Sequence, residues 1–159
     1  MERAAMDDDV VWWCVLLSPC SYLRERRLKR ERQPYDYERD YLAAFPDGPY
    51  RDAVARFVWD RLQSYVCIRN FPVNPYDSLR MLYKLDDEEI FDVFLCEIIE
   101  KILNIDRGYF DFSEYHISLI DNPLDIYSFI MDVLKSLKGF DRKKCVRIPV
   151  INIFTKNSL

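Results

Sequence analysis

The pattern of hydrophobic and polar positions is clearest from Leu85 to Asp106, LDDEEIFDVFLCEIIEKILNID. Asp86 fits the N-cap position of a helix, and Glu89 three residues later completes a capping box. The acids also suit the positive end of the helix dipole. The apolar residues that follow cover more than one narrow stripe: Ile90, Phe91, Val93, Phe94, Leu95, Ile98, Ile99, Ile102 and Leu103. The pattern predicts a helix over 86–103 that several elements contact, at the centre of the core.

Two further segments carry a single apolar stripe at helical spacing. The first runs from Tyr50 to Val66 and places on one face Val54, Phe57, Val58, Leu62 and Tyr65. The second begins at Asn122-Pro123, since Asn caps helices and Pro is tolerated in the first turn. Its apolar face comprises Ile126, Phe129, Ile130, Val133, Leu134 and Leu137, and Gly139 is expected to end it. Both segments predict helices that face the core.

The two ends of the chain differ from this helical centre. The sequence Phe45-Pro46-Asp47-Gly48-Pro49 is a strong turn signal and predicts a boundary. Residues 145–154 are rich in β-branched side chains, but Pro149 lacks a backbone donor, which predicts an edge strand or an extended arm. We therefore predict a mainly α protein with an N-terminal extension over 1–48, a helical core over 49–139, and a C-terminal strand or arm over 140–159.

A basic segment, Tyr22 to Arg32, lies inside the extension and contains only Leu23 and Leu28 as aliphatic residues. Its arginines, Arg24, Arg27 and Arg30 among them, could neutralise phosphates, and three tyrosines further along could stack on bases: Tyr35, Tyr37 and Tyr41. The other interpretation is a poorly buried, solvated helix with internal Glu–Arg pairs. We favour the solvated helix because the rest of the chain is acidic.

Composition narrows the classes of function. The net charge is −4, from 27 acidic and 23 basic residues, which gives no general affinity for nucleic acid. The three glycines argue against glycine-rich phosphate loops. The five cysteines are widely and irregularly spaced, at 14, 20, 67, 96 and 145, which favours reduced thiols in a cytoplasmic protein.

An apolar run near the start, Val10 to Leu17, follows acids rather than a basic region. It is also far shorter than the roughly 20 residues that span a bilayer, so we expect neither a signal peptide nor a membrane anchor. The run is expected to be a buried strand or helix start, and its alternative interpretation is a partner-binding strip.

Candidate chemistry is sparse. The single histidine, His116, lies beside aromatic residues and is expected to be a partly buried structural residue rather than a base. The carboxylates of Asp86, Asp87, Glu88 and Glu89 should be solvated at the helix start, whereas acid catalysis needs a carboxyl held protonated in an apolar pocket. We predict no catalytic residues, no metal site and no cofactor.

The segment from Leu85 to Asp106, followed by Phe110-Asp111-Phe112-Ser113-Glu114-Tyr115, resembles an uncharacterised bacterial family of acyl-carrier-like proteins. The resemblance covers Tyr50 to Lys138 and implies a small four-helix bundle. In carriers, a serine in a D-S-L motif opens the long second helix and bears the phosphopantetheine arm. Aligning the helix ends places that position within Asp87 to Glu89, which holds no serine, while a literal D-S-L occurs upstream at residues 77–79.

Three functions follow, in order of preference. The first is a non-enzymatic protein-interaction module, such as an adaptor, inhibitor or immunity-type partner. It would hold another protein through Asp86, Asp87, Glu88 and Glu89, or through Arg24, Arg27 and Arg30. The alternative is an acyl or peptidyl carrier modified on Ser78. The third is nucleic-acid binding through residues 24–32. Neither the partner nor the oligomeric state follows from the sequence.

Overall fold

The structure is a computed structural model that describes residues 19–106 and 116–137. Within these ranges every regular element is a helix and no β-strand occurs, so the prediction of a mainly helical protein is confirmed. The helices are α1 (Pro19–Glu31), α2 (Tyr37–Asp40), α3 (Arg51–Leu62), α4 (Leu79–Tyr83), α5 (87–102) and α6 (Pro123–Leu137). Short 3₁₀ turns cover Leu42–Ala44, Gln63–Tyr65 and Ile117–Leu119.

Some predictions fall outside the described residues. They concern the apolar run 10–17, the aromatic segment 110–115, the helix end at Gly139 and the C-terminal strand or arm over 140–159. Within the described residues, no helix is both long enough and apolar enough to cross a bilayer.

Helix α5 begins with the predicted capping box. The Asp86 carboxylate accepts the Glu89 N–H at 2.8 Å, and the Glu89 carboxylate accepts the Asp86 N–H at 3.2 Å. The helix ends at Asn104, whose φ of 55° is left-handed, and the Ile105 N–H then bonds the Ile99 carbonyl at 3.1 Å. The helix predicted over 86–103 is therefore confirmed.

Most of α5 is wound as a π-helix, over Ile90–Cys96 and Ile98–Ile102. Hydrogen bonds from i to i+5 widen the turn beyond four residues. The buried positions follow this wider period: they include 90, then 94 and 95, then 98 and 99, then 103. The winding thus keeps these side chains on one buried side of the helix.

The hydrophobic core surrounds α5. Helices α3 and α6 pack on it with the predicted faces, and their fully buried side chains include Val54, Val58, Leu62, Ile126, Ile130 and Val133. Three other α5 side chains, Phe91, Val93 and Ile102, are partly buried against the same core, so α5 is contacted from several sides as predicted. An ion pair also joins α3 to α5, from Arg61 to Glu97, and Lys101 binds the same carboxylate at 2.6 Å.

The core also includes residues before the predicted boundary at 48. Tyr41 and Phe45 are buried in the same cluster as the side chains of α3, α5 and α6. Tyr35 stacks on Trp59 with ring centres 5.4 Å apart, and Tyr37 and Tyr41 meet the same indole edge-on. The tyrosines considered for base stacking therefore form an aromatic cluster on α3.

The turn at Gly48 lies directly against α6. A Cβ atom on Gly48 would be 2.7 Å from the hydroxyl oxygen of Tyr127, and Tyr127 itself is buried. This close approach requires glycine because any larger residue would have to displace a buried ring.

Candidate functional site at helix α4

Helix α4 is only five residues long, and neighbouring side chains satisfy its ends. Ser78 is the N-cap: its hydroxyl oxygen accepts the Met81 N–H at 3.0 Å and donates to the Asp121 carboxylate at 3.0 Å. At the other end, the Arg24 guanidinium of α1 donates to the carbonyls of Met81 and Leu82, both at 2.8 Å. Helix α1 and the segment before α6 thus hold α4 in place.

Arg80 joins α4 to two more elements. Its guanidinium pairs with Asp87 at the start of α5 at 2.5 Å and with Asp121 at 3.3 Å. It also donates to the carbonyl of Ile117, the first residue of the last 3₁₀ turn, and to that of Ile120, which follows the turn. One side chain therefore fixes the relative positions of α4, the start of α5 and the 117–120 segment.

Large hydrophobic side chains are exposed around this short helix. Of the five in the described residues, four lie on α4, in the loop that leads into it, or on elements that these hydrogen bonds hold to it: Leu23 (61% exposed), Tyr76 (69%), Met81 (68%) and Leu119 (74%). Asp87 and Glu88 are exposed at the start of α5, next to the Arg80 pair. We call these six residues the α4 surface.

The four acidic residues predicted to bind a partner differ in their contacts. Asp86 and Glu89 are engaged in the capping box, and Asp87 is paired with Arg80. Glu88 is exposed. Because the two capping carboxylates stabilise the helix itself, only Asp87 and Glu88 are placed in the α4 surface.

The three arginines predicted to bind a partner also differ in their contacts and exposure. Arg24 faces α4 through its two backbone contacts. Arg27 pairs with Glu31 at 2.7 Å and its side chain is 79% exposed, while Arg30 is exposed. The structure therefore does not place these three arginines on one face, and the Arg27–Glu31 pair is the internal pair expected of a solvated helix.

The sequence did not predict that two carboxylates are buried. Glu25 is 2% exposed and accepts the Cys67 N–H at 2.7 Å, which joins α1 to the turn after α3. Burial raises the pKa of the Glu25 carboxyl, although the Cys67 N–H and Arg24 partly offset this effect. An acidic residue within a basic segment predicts an exposed Glu–Arg pair, so the neighbouring sequence gave no sign that Glu25 is buried.

The other buried carboxylate is Asp77, which is 8% exposed. Arg32 donates to both of its carboxylate oxygens, at 2.8 and 2.5 Å. The Asp77 carboxylate also accepts the Asn74 N–H at 2.8 Å and the Tyr83 hydroxyl at 3.0 Å. Burial raises the pKa of Tyr83 well above its ordinary value, so its hydroxyl stays protonated and donates. Asp77 of the literal D-S-L motif thus organises the loop before α4.

One prediction about chemistry is wrong. His116 is exposed rather than partly buried, because it precedes the 117–119 turn at the surface. Among the residues the structure describes, no group of three or more His, Cys, Asp or Glu side chains is arranged to hold a metal ion.

Comparison of the chain with protein-family models, with curated proteins and with solved structures finds no match. A functional proposal must therefore rest on the geometry of the α4 surface.

Proposed function

We propose that this chain is a non-enzymatic protein-interaction module that binds another protein through the α4 surface. The observation that carries the proposal is the grouping of Leu23, Tyr76, Met81 and Leu119, each more than half exposed, on elements that meet at one short helix. Scattered exposed hydrophobic residues are ordinary, whereas grouped ones mark interaction sites.

Charge indicates the kind of partner. Asp87 and Glu88 lie at the edge of the α4 surface, and their carboxylates would attract a positively charged neighbour. A partner of matching chemistry would present apolar side chains for Met81 and Leu119, and lysines or arginines for the acids. The burial of apolar area would supply affinity, and the charges would supply orientation and association rate.

The direct test uses the purified full chain as bait in an extract of the cells from which it comes. Met81→Ser and Glu88→Lys change the α4 surface without removing a described side-chain hydrogen bond. Tyr50→Ser and Asp60→Lys are the matched controls, since both residues are exposed on or beside α3. We expect a protein that binds the original chain and both controls but not the α4 variants, and that binds again when purified.

The outcome that would contradict the proposal is equally definite. If the purified pair binds as tightly after Met81→Ser and Glu88→Lys as before, the α4 surface is not the site. Loss of binding with Tyr50→Ser and Asp60→Lys alone would move the site to α3.

The acyl-carrier-like bundle also belongs to this proposal. The order of α3, α5 and α6 and their common core support it. We take the carrier activity itself to be absent, because the Ser78 hydroxyl both caps α4 and donates to Asp121. Incubation with a phosphopantetheinyl transferase should leave the mass of the chain unchanged, and a gain that Ser78→Ala abolishes would establish the carrier alternative instead.

Nucleic-acid binding is ranked third because the tyrosines that would stack on bases already contact Trp59 or each other. Arg26 and Arg30 of α1 are exposed and could bind an anion, whereas Arg27 already pairs with Glu31. Strong retention on a polyanion column that falls steeply with salt would favour this function over protein binding.

We also propose that the protein-interaction module is located in the cytoplasm, which fractionation of the source cells would test.

A further inference from the structure

The face of α1 that contacts the rest of the protein is mainly polar. Side chains at 24, 25, 28, 29 and 32 point toward the body, as the helical spacing of i, i+1, i+4, i+5 and i+8 requires. Within Pro19–Glu31, Leu28 is the only hydrophobic side chain that packs on the core formed by the described residues, and Glu25 is the only buried residue. The contacts of α1 with the described part of the chain are therefore mainly hydrogen bonds and charge.

Two more of these polar contacts reach backbone carbonyls in the loop that follows α3. Lys29 donates to the Arg69 carbonyl at 3.1 Å, and just beyond the helix Arg32 donates to the Pro72 carbonyl at 2.7 Å. Together with Arg24 on α4, Glu25 on Cys67 and Arg32 on Asp77, they form what we call the polar attachment of α1.

Such an attachment can be replaced by water. A hydrogen bond that forms on docking is exchanged for one to solvent on release, so its net contribution is small. The free energy gained by burying apolar side chains is not replaced in this way, because exposing an isoleucine to water is unfavourable. Apart from Leu28, the described contacts of α1 therefore contain little of the apolar burial that holds α3, α5 and α6 together.

The position of α1 also determines the α4 surface. Leu23 belongs to that surface, and the adjacent Arg24 holds the carbonyls of Met81 and Leu82. When α1 leaves, the surface loses one exposed hydrophobic side chain and α4 loses the cap at its C-terminal end. Docked and released α1 thus correspond to two different α4 surfaces.

We propose that α1 is a releasable helix that regulates the α4 surface, which is complete only while the polar attachment holds. The regulatory part rests on the proposed function, whereas the release of α1 is a property of the free protein. The two can be tested separately.

Hydrogen exchange of the full chain, read by mass spectrometry on peptides from each helix, tests the release. We expect α1 amides to exchange at least about tenfold faster than those of α5 and α6, because they open without global unfolding. Amides of α4 should follow α1, since Arg24 ties the two helices.

The paired variant Arg32→Gln with Asp77→Asn removes both charges, so that neither is left buried alone. It should accelerate exchange of α1 and α4 several-fold further and leave α6 unchanged. The matched control is Arg39→Gln, which breaks an exposed ion pair with Asp40 on α2 and should change neither.

Exchange of α1 in the same cooperative unit as α5 and α6 would overturn the proposal, and so would an equal effect of the paired variant on every helix. If α1 opens but α4 does not follow, the regulatory part is wrong. None of these measurements needs a partner, so failure of the α4 binding experiment would leave their interpretation unchanged.

Discussion

Helices α1 and α6 have similar lengths, 13 and 15 residues, but they are attached in opposite ways. Helix α6 buries six residues, of which all are apolar or aromatic: Pro123, Ile126, Tyr127, Phe129, Ile130 and Val133. Helix α1 buries one, Glu25, and uses charged side chains for most of its other contacts. Burial of apolar side chains therefore attaches α6, whereas hydrogen bonds and charge make most of the described contacts of α1.

The comparison has an energetic basis. A fully buried isoleucine or phenylalanine contributes about 1.5–3 kcal/mol by leaving water. A net hydrogen bond contributes about 1 kcal/mol, and a buried carboxylate also costs desolvation free energy. We therefore expect substitutions in α6 to affect global unfolding and those in α1 to affect local opening.

The largest effect is expected for Ile130→Ala in α6. Ile130 is fully buried, so the substitution leaves a cavity and should lower the free energy of unfolding by about 3 kcal/mol. Leu28→Ala in α1 is the matched change, and it should cost about 1 kcal/mol because Leu28 is only partly buried. Equal losses in urea titrations of the two variants would contradict the difference in attachment between α1 and α6.

The next effect concerns the contact between Gly48 and α6. Gly48→Ala should lower the free energy of unfolding by about 2 kcal/mol, because its Cβ would be 2.7 Å from the Tyr127 hydroxyl oxygen. Tyr127→Phe should be close to neutral, since that buried hydroxyl has no hydrogen-bond partner among the described residues. The double variant should recover most of the loss, and strict additivity in the cycle would contradict this interpretation.

A smaller effect is expected for Arg24→Gln at the contact between α1 and α4. The change removes the charged donors to Met81 and Leu82, which should lower the free energy of opening of both helices by about 1 kcal/mol. Hydrogen exchange of the two helices measures it. Arg27→Gln is the control, because its exposed pair with Glu31 should not change the opening measurably.

The smallest effect is expected for Glu25→Gln, and it depends on pH. Since the pKa of Glu25 is raised in the folded protein, its contribution is fully present below the ordinary value of 4.5 and is lost as the pH rises through the folded value. The Cys67 N–H can bond the glutamine oxygen equally well. The variant should match the original chain in acid and be more stable near neutral pH.

Thermal unfolding of the two chains at a series of pH values gives this difference directly. Other titrating groups cancel in the comparison. The charged neighbour of Glu25 is Arg24, and the Cys67 and Ile68 N–H groups also favour its charged form. A variant that is less stable at neutral pH and equal in acid would show that the buried charge stabilises the attachment of α1.

The helices of the core could be predicted because their signals are local. The capping box at Asp86 and Glu89 and the apolar faces of α3 and α6 depend on residues within a few turns of one another. Of the proposed α4 surface, the sequence patterns single out Asp87 and Glu88 but not Met81, Tyr76 or Leu119. Exposure of a hydrophobic side chain depends on which elements cover it, and sequence spacing does not contain that information.

Local sequence patterns were enough to predict the helical character of the described residues, the start of α5 and the positions that face the core. Which charged residues are buried, and which hydrophobic residues stay exposed, depends on contacts between distant parts of the chain. The buried Glu25 carboxylate bonds the N–H of Cys67, which is 42 positions away in the sequence. The buried Asp77 carboxylate bonds Arg32, which is 45 positions away. Helix periodicity acts over a few residues, whereas these partners meet only when the chain has folded.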